Sequence, residues 1–255
     1  MGVTDRMATV AEQGSPDLVF ELASVTKILT ALTCWIAVEE GTVSWTDEVG
    51  PPGATFADLL SHSSGMSPDS QNALAAPRTR RIYSNAGFEA AAGAVQAAAG
   101  MPFATYFKEA VRDPLGLATT ELYGSPAYGG RSTLGDLLAV ARELLEPTLI
   151  DATTLALVTA PAQPNLDGVL PGYGAQRPNP WGLGVEIKGS KSPHWTGATH
   201  PATTFGHFGR TGTLLWVDPS VDAAGVVLGD HDFGPWAVKV WPAANDALRV
   251  IVDDA

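Results

Sequence analysis

Cysteine is nearly absent from this sequence: Cys34 is the only one in 255 residues, so no disulfide can form within the chain. It lies inside an apolar helical stretch, which marks it as a buried structural thiol rather than a nucleophile. Positive charge is also scarce, with 15 Lys and Arg against 27 Asp and Glu and a net charge of -12. That balance excludes the basic footprint that nucleic acids and anionic membranes need. Long apolar runs are missing too: the longest helical one, around 28–38, ends in Glu39-Glu40 and is too short to cross a bilayer. The N-terminal MGVTDRMATVAEQGSPD is polar and has no signal core, and Arg6 stands where a myristoylation signal has Ser or Thr. A cytoplasmic protein that binds neither membrane nor nucleic acid is expected.

Several chemical signatures are missing as well. There is no G-x-S-x-G, which removes the α/β-hydrolase route to a serine esterase, and no P-loop or dinucleotide fingerprint. H-E-x-x-H is absent and His194, His200 and His231 lack metal-site spacing, so neither a metal nor a cofactor is expected. Oligomeric state leaves no mark in the sequence.

What is present is a globular composition, 45% hydrophobic and 16% charged, long enough for a substantial core. Short β-branched stretches at 7–11 and 18–23 flank the turn Gly14-Ser15-Pro16-Asp17 and predict a hairpin. Val25, Ile28, Leu29, Leu32, Trp35, Ile36 and Val38 recur at helical spacing from Ser24 to about Glu40, and Gly41 closes that helix. Further helices are predicted over 55–61, 86–99, after Pro102, over 134–145 with Thr133 and Asp136 as a capping box, over 151–159, and over 235–252 with Pro242 an irregularity. Strands are predicted at 181–188, 204–209, 213–218 and 223–230. The stretch 189–204 is long for a connection and reads as either a wall of a substrate site or a disordered loop. The expected fold is α/β of the α+β type: one domain, 1–255, with an antiparallel sheet flanked by the first and last helices. An α/β lobe (1–45 and 176–255) and a helical lobe (46–175) would leave a cleft between them.

Three short motifs carry chemistry. Ser24 and Lys27, three apart at a helix start, share one face. A serine hydroxyl needs a base, and lysine serves as one only when desolvation or a nearby cation lowers its pKa. The plain alternative is a helix-capping Ser24 with Lys27 in solvent. Tyr83-Ser84-Asn85 is the only Tyr-x-Asn and precedes a helix; His207-Phe208-Gly209 is the only Lys/His-x-Gly and lies on a strand. Alone, Tyr83 reads as a core residue, Asn85 as a cap and His207 as a satisfied strand residue. Together and in this order, they are harder to dismiss.

With these motifs the chain resembles the serine β-lactamase-like hydrolases, in the branch of class C β-lactamases, family VIII carboxylesterases and DD-peptidases. VFELASVTKILTA, ADLLSHSSGM, IYSNAGFE, PLGL, WGLG and GHFGRTG fall in family order, from Val19 to about residue 230. The resemblance implies that Ser24 is an acylated nucleophile, Lys27 its proton acceptor and Tyr83 a general base or acid. It implies that Asn85 binds Lys27 and the substrate's acyl side, and that the N–H groups of Ser24 and Arg210 form an oxyanion hole. His207 and Gly209 would border the substrate, Gly209 by admitting it close to the strand edge. His62 and Ser64 of HSSG are read as a structural turn near the cleft.

The chain departs from that pattern in two places. His-Phe-Gly replaces the Lys-Thr-Gly of antibiotic-hydrolysing members, removing a fixed cation and a hydroxyl. Only 23 residues precede Ser24 and the Ser24–Tyr83 spacing is compact, which reads as a short variant. The expected activity is esterase-like, on small esters or amides, with weak or no β-lactamase activity. The alternatives are a β-lactamase or D-amino-acid peptidase, or a catalytically silent binding protein on the same scaffold.

Overall fold

The computed structural model describes residues 1–253. In its first part come strands β1 (Gly2–Thr4), β2 (Thr9–Glu12) and β3 (Phe20–Glu21), a 3₁₀ turn at Ala23–Val25, and helices α1 (Thr26–Glu39), α2 (Phe56–Leu60) and α3 (Asn85–Ala99). Helix α4 (Phe103–Phe107) runs into a π-turn at Lys108–Arg112, followed by β4 (Glu121–Leu122), β5 (Gly130–Ser132), α5 (Leu134–Glu143) and α6 (Ala152–Val158). Then come β6 (Gly168–Leu170), β7 (Gly174–Gln176), β8 (Glu186–Ile187), β9 (Phe205–Gly209), β10 (Thr213–Asp218), β11 (Ala223–Val227) and α7 (Pro235–Asp253).

The main sheet is antiparallel, in the order β2-β1-β11-β10-β9-β8. Both of its faces are covered, so its central strands are buried almost throughout, while alternation still sorts their side chains. Leu215 and Val217 of β10 join the core containing α1, α3 and α5, whereas Leu214 and Trp216 join the core containing Ala237, Trp241 and Leu248 of α7. The first and last helices thus lie on opposite faces, as expected. Helix α1 is buried on every side from Thr26 to Ala37, which explains why its apolar pattern is so broad.

Local chemistry fixes several boundaries. Thr55 and Asp58 form a reciprocal capping box on α2. Thr133 accepts from the Asp136 amide at 3.2 Å, but the Asp136 carboxylate turns to Thr119 and Thr120 instead of closing the box. Helix α7 continues through Pro242, held to the sheet by Ala237, Trp241 and Leu248.

The predicted hairpin of 7–11 with 18–23 is incorrect. Strand β2 pairs with β1, through a turn in which the Asp5 carboxylate accepts the Met7 and Ala8 amides at 2.7 Å. Strand β3 pairs with β5 in a separate three-stranded sheet. The predicted strand 181–188 shrinks to Glu186–Ile187, because Gly184 takes a left-handed φ of 114° where the chain turns against Ala31 of α1. The 189–204 stretch is not disordered. Lys191, His194, Trp195 and His200 are buried, and a Lys191–Glu186 ion pair of 2.6 Å anchors it. No described helix is long and apolar enough to cross a membrane.

Candidate active site

Ser24 lies in the 3₁₀ turn ahead of α1, not at its cap: Val25 is the capping position and makes no side-chain cap bond. Ala23 has a left-handed φ of 44°, an uncommon state for a residue with a Cβ. Leu22 anchors that turn by donating to the Gly130 carbonyl at 2.9 Å. One turn on, Lys27 is fully buried rather than solvated, which removes the plain reading of the pair.

The surroundings of Lys27 define its protonation. Its Nζ donates to Asn85 Oδ1 at 2.7 Å and to the Ala127 carbonyl at 2.9 Å, and lies 3.5 Å from Ser24 Oγ. A neutral amine has two N–H donors and one lone pair. The two acceptors take the donors, and the lone pair is left for the serine proton. Burial lowers its pKa to about 7, while the carboxylates of Asp69 and Glu89 pull the other way.

Tyr83 and Asn85 arrive together at the start of α3. Ser84 is the actual cap, accepting from the Gly87 amide at 2.9 Å, and this frees Asn85 to reach Lys27. Tyr83 OH donates to Ser24 Oγ at 2.8 Å and lies 3.4 Å from His207 Nε2. Burial raises the Tyr83 pKa above its ordinary value, so the phenol is protonated at neutral pH. His207 Nδ1 donates to the Phe208 carbonyl at 2.7 Å. Burial, with the Lys27 charge second, lowers its pKa to about 3, so His207 is neutral and turns an acceptor nitrogen toward Tyr83.

A cavity of about 610 Å³ opens on Ser24 and is lined also by Glu21, Asp69, Asn85, Tyr123 and Arg210. Ser24, Asn85 and Arg210 thus share one chamber, and Lys27 and Tyr83 stand directly behind the serine. His207 is buried beside Tyr83 and does not line this cavity. Gly209 faces its own chain: a Cβ there would collide with the Leu22 carbonyl and the Thr213 hydroxyl, so this glycine lets β9 press against the turn that carries Ser24. Thr211 and Thr213 fasten that contact by donating to the Glu21 and Leu22 carbonyls at 2.7 and 2.8 Å. Phe208, on the alternate face, packs against Trp195, Phe233 and Trp241, away from the cavity.

Sequence reasoning missed two contributors. Asp69, in the Ser-Pro-Asp-Ser loop, accepts one of the two N–H donors of Asn85 Nδ2 at 2.8 Å and leaves the other for a substrate. Ala127 contributes only a backbone carbonyl, which no side-chain pattern reveals.

An antiparallel sheet between helices thus brings a buried lysine and a tyrosine against one serine, residue types that nucleophilic catalysis uses. The β-lactamase family model matches residues 1–248, and the chain belongs to that family of hydrolases. A β-lactamase structure from Mycobacterium bovis is 49% identical, with a TM-score of 0.97 over 98% of this chain and 93% of that one. EstCE1, a hydrolase with promiscuous acyltransferase activity, shares the fold at 16% identity, with a TM-score of 0.78 over 97% of this chain and 92% of that one. The D-alanyl-D-alanine-carboxypeptidase/endopeptidase AmpH of Escherichia coli is 26% identical over 147 residues, 43% of this chain. The match spans only 38% of AmpH.

Proposed function

We propose that this protein is a serine hydrolase that forms a covalent acyl-enzyme on Ser24, acting on small esters with little or no β-lactam turnover. The observation that carries the reading is the buried Lys27, whose Nζ donates to Asn85 and Ala127 and lies 3.5 Å from Ser24 Oγ. In the first step Ser24 Oγ attacks the ester carbonyl while its proton passes to Lys27. The N–H groups of Ser24 and Arg210 receive the developing oxyanion; losing one such donor costs about 10²–10³ in turnover. Tyr83, kept protonated by burial, gives its proton to the departing alkoxide and is refilled from the Lys27 ammonium. Water then attacks the acyl-serine and gives its proton to the neutral Lys27, Ser24 Oγ takes that proton back as its bond to the acyl carbon breaks, and the carboxylic acid is released.

Two features favour esters. His207 is neutral and shielded by Tyr83, so it supplies no cation for a β-lactam carboxylate. Asp69 takes one of the two Asn85 amide donors, so only one is left for an acylamido side chain. A β-lactamase or D-amino-acid peptidase activity is the second reading. It is favoured by Arg210, a cation in the cavity suited to a substrate carboxylate, and by the M. bovis and AmpH matches. A silent binding protein would have no use for a desolvated lysine against a serine.

The test compares kcat/KM on a p-nitrophenyl ester, a chromogenic cephalosporin and a D-alanyl-D-alanine peptide, in wild type and Ser24→Ala. Ester turnover is expected to exceed the other two and to vanish in the variant. Faster cephalosporin or peptide cleavage would select the second reading, and full activity in Ser24→Ala would end the serine mechanism altogether.

A further inference from the structure

His62 is a buried group that the proposed chemistry leaves unused. It is fully buried and has a left-handed φ of 57°, an uncommon state for a residue with a side chain. Its two hydrogen-bond acceptors both serve the chain on either side of Tyr83. The His62 carbonyl accepts the Ile82 amide at 3.0 Å, and its Nδ1 accepts the Ser84 amide at 3.0 Å. The two amides that flank Tyr83 are therefore both held by this one histidine. Its ring also lies against the Tyr83 ring, with centroids 4.6 Å apart and planes inclined at 38°. Phe88 at 5.2 Å and Trp181 at 4.5 Å, the latter nearly perpendicular, enclose the same ring.

Accepting at Nδ1 leaves the proton of a neutral imidazole on Nε2, where no hydrogen-bond partner is found. Burial first, with Lys27 and Arg81 nearby, drives the pKa well below the ordinary histidine value, so the ring stays neutral. An apolar ring would fill this space without leaving a buried N–H unpaired. Imidazole combines a flat face for Tyr83 with an acceptor for Ser84.

From this geometry we infer that His62 is a positioning residue for the reaction, setting the placement of the Tyr83 phenol over Ser24 by clamping both flanking amides and supporting the ring. The inference rests on the proposed role of Tyr83. Misplacing a reacting group by about 1 Å costs on the order of 10² in rate, which sets the scale of the expected effect.

Two variants separate the parts. His62→Gly suits the left-handed backbone and removes both the ring and the acceptor. His62→Asn also tolerates that backbone and keeps an acceptor near the Ser84 amide while losing the ring. Both are measured on a p-nitrophenyl ester, alongside Tyr83→Phe, with circular dichroism and active-site titration fixing the concentration of folded enzyme. His62→Gly is expected to lose about 10² in kcat with KM changed less than about threefold, and His62→Asn to recover about tenfold of that loss. If His62→Gly does not fold, His62→Asn decides alone: a kcat down roughly tenfold at constant KM supports the clamp. Wild-type kcat in a folded His62 variant, or a loss confined to KM, while Tyr83→Phe is inactive, would overturn the inference. An active Tyr83→Phe would instead overturn the proposed chemistry beneath it.

Discussion

If Lys27 is the base, the pH–rate profile reports its titration. Its pKa, lowered to about 7 by burial, leaves about nine-tenths of the amine neutral at pH 8, about one-tenth at pH 6 and about one-hundredth at pH 5. The kcat/KM for a p-nitrophenyl ester should therefore rise about tenfold per unit below pH 6 and level off above 8. Lys27→Met should abolish that limb and lose about 10²–10⁴ in rate. Stability has its own signature. The unfolded lysine keeps its proton up to about pH 10.5 while the folded one loses it near 7, so between these values the unfolded chain binds more protons. Wild type must then gain stability relative to Lys27→Met as pH rises from 7 toward 10, by at most about 5 kcal/mol for a shift of about 3.5 units. Chemical denaturation of both proteins at pH 7 and 9.5 measures the difference. A flat rate profile between pH 5 and 8, together with a stability difference independent of pH, would refute the reasoning.

Other perturbations separate the remaining parts. Asp69→Asn removes a carboxylate that favours protonated Lys27, so the acid limb of the ester profile should move to lower pH; a shift upward contradicts the assignment. Tyr83→Phe removes the proton donor 2.8 Å from Ser24 Oγ and should cost about 10²–10⁴ in kcat. Gly209→Ala forces a methyl against the Leu22 carbonyl, so a loss of about 1–3 kcal/mol is expected by thermal or urea unfolding, with activity falling further; wild-type stability would show that β9 and the nucleophile turn are not in tight contact.

The sequence made the strongest elements legible because their pattern and their environment agree. Thr213–Asp218 is a strand in both readings, and the cap at Thr133 follows from a side chain within three residues of the amide it binds. The partner of a strand is a different matter. Thr9–Glu12 looks ready to pair forward, yet Asp5 organises a tighter turn backward onto Gly2–Thr4. In the site, Ser24, Lys27, Tyr83 and Asn85 could be picked out because their chemistry lies in their side chains and the motifs are sparse. The tether from Ala127 is a backbone carbonyl 100 residues from Lys27, and the Asp69–Asn85 bond joins a loop to a helix. His207 was visible as a residue, but its placement beside Tyr83 depends on how deeply β9 is buried.

The nucleophile itself is tested most directly by mass. Wild type is incubated with a fluorophosphonate or rapidly quenched with a p-nitrophenyl ester, and the intact protein and its peptides are weighed. One acyl or phosphonyl group on the peptide containing Ser24, absent in Ser24→Ala and slowed in Lys27→Met, is the expected result. An unmodified Ser24 in enzyme that still hydrolyses the ester, or an adduct on another residue, would contradict the account.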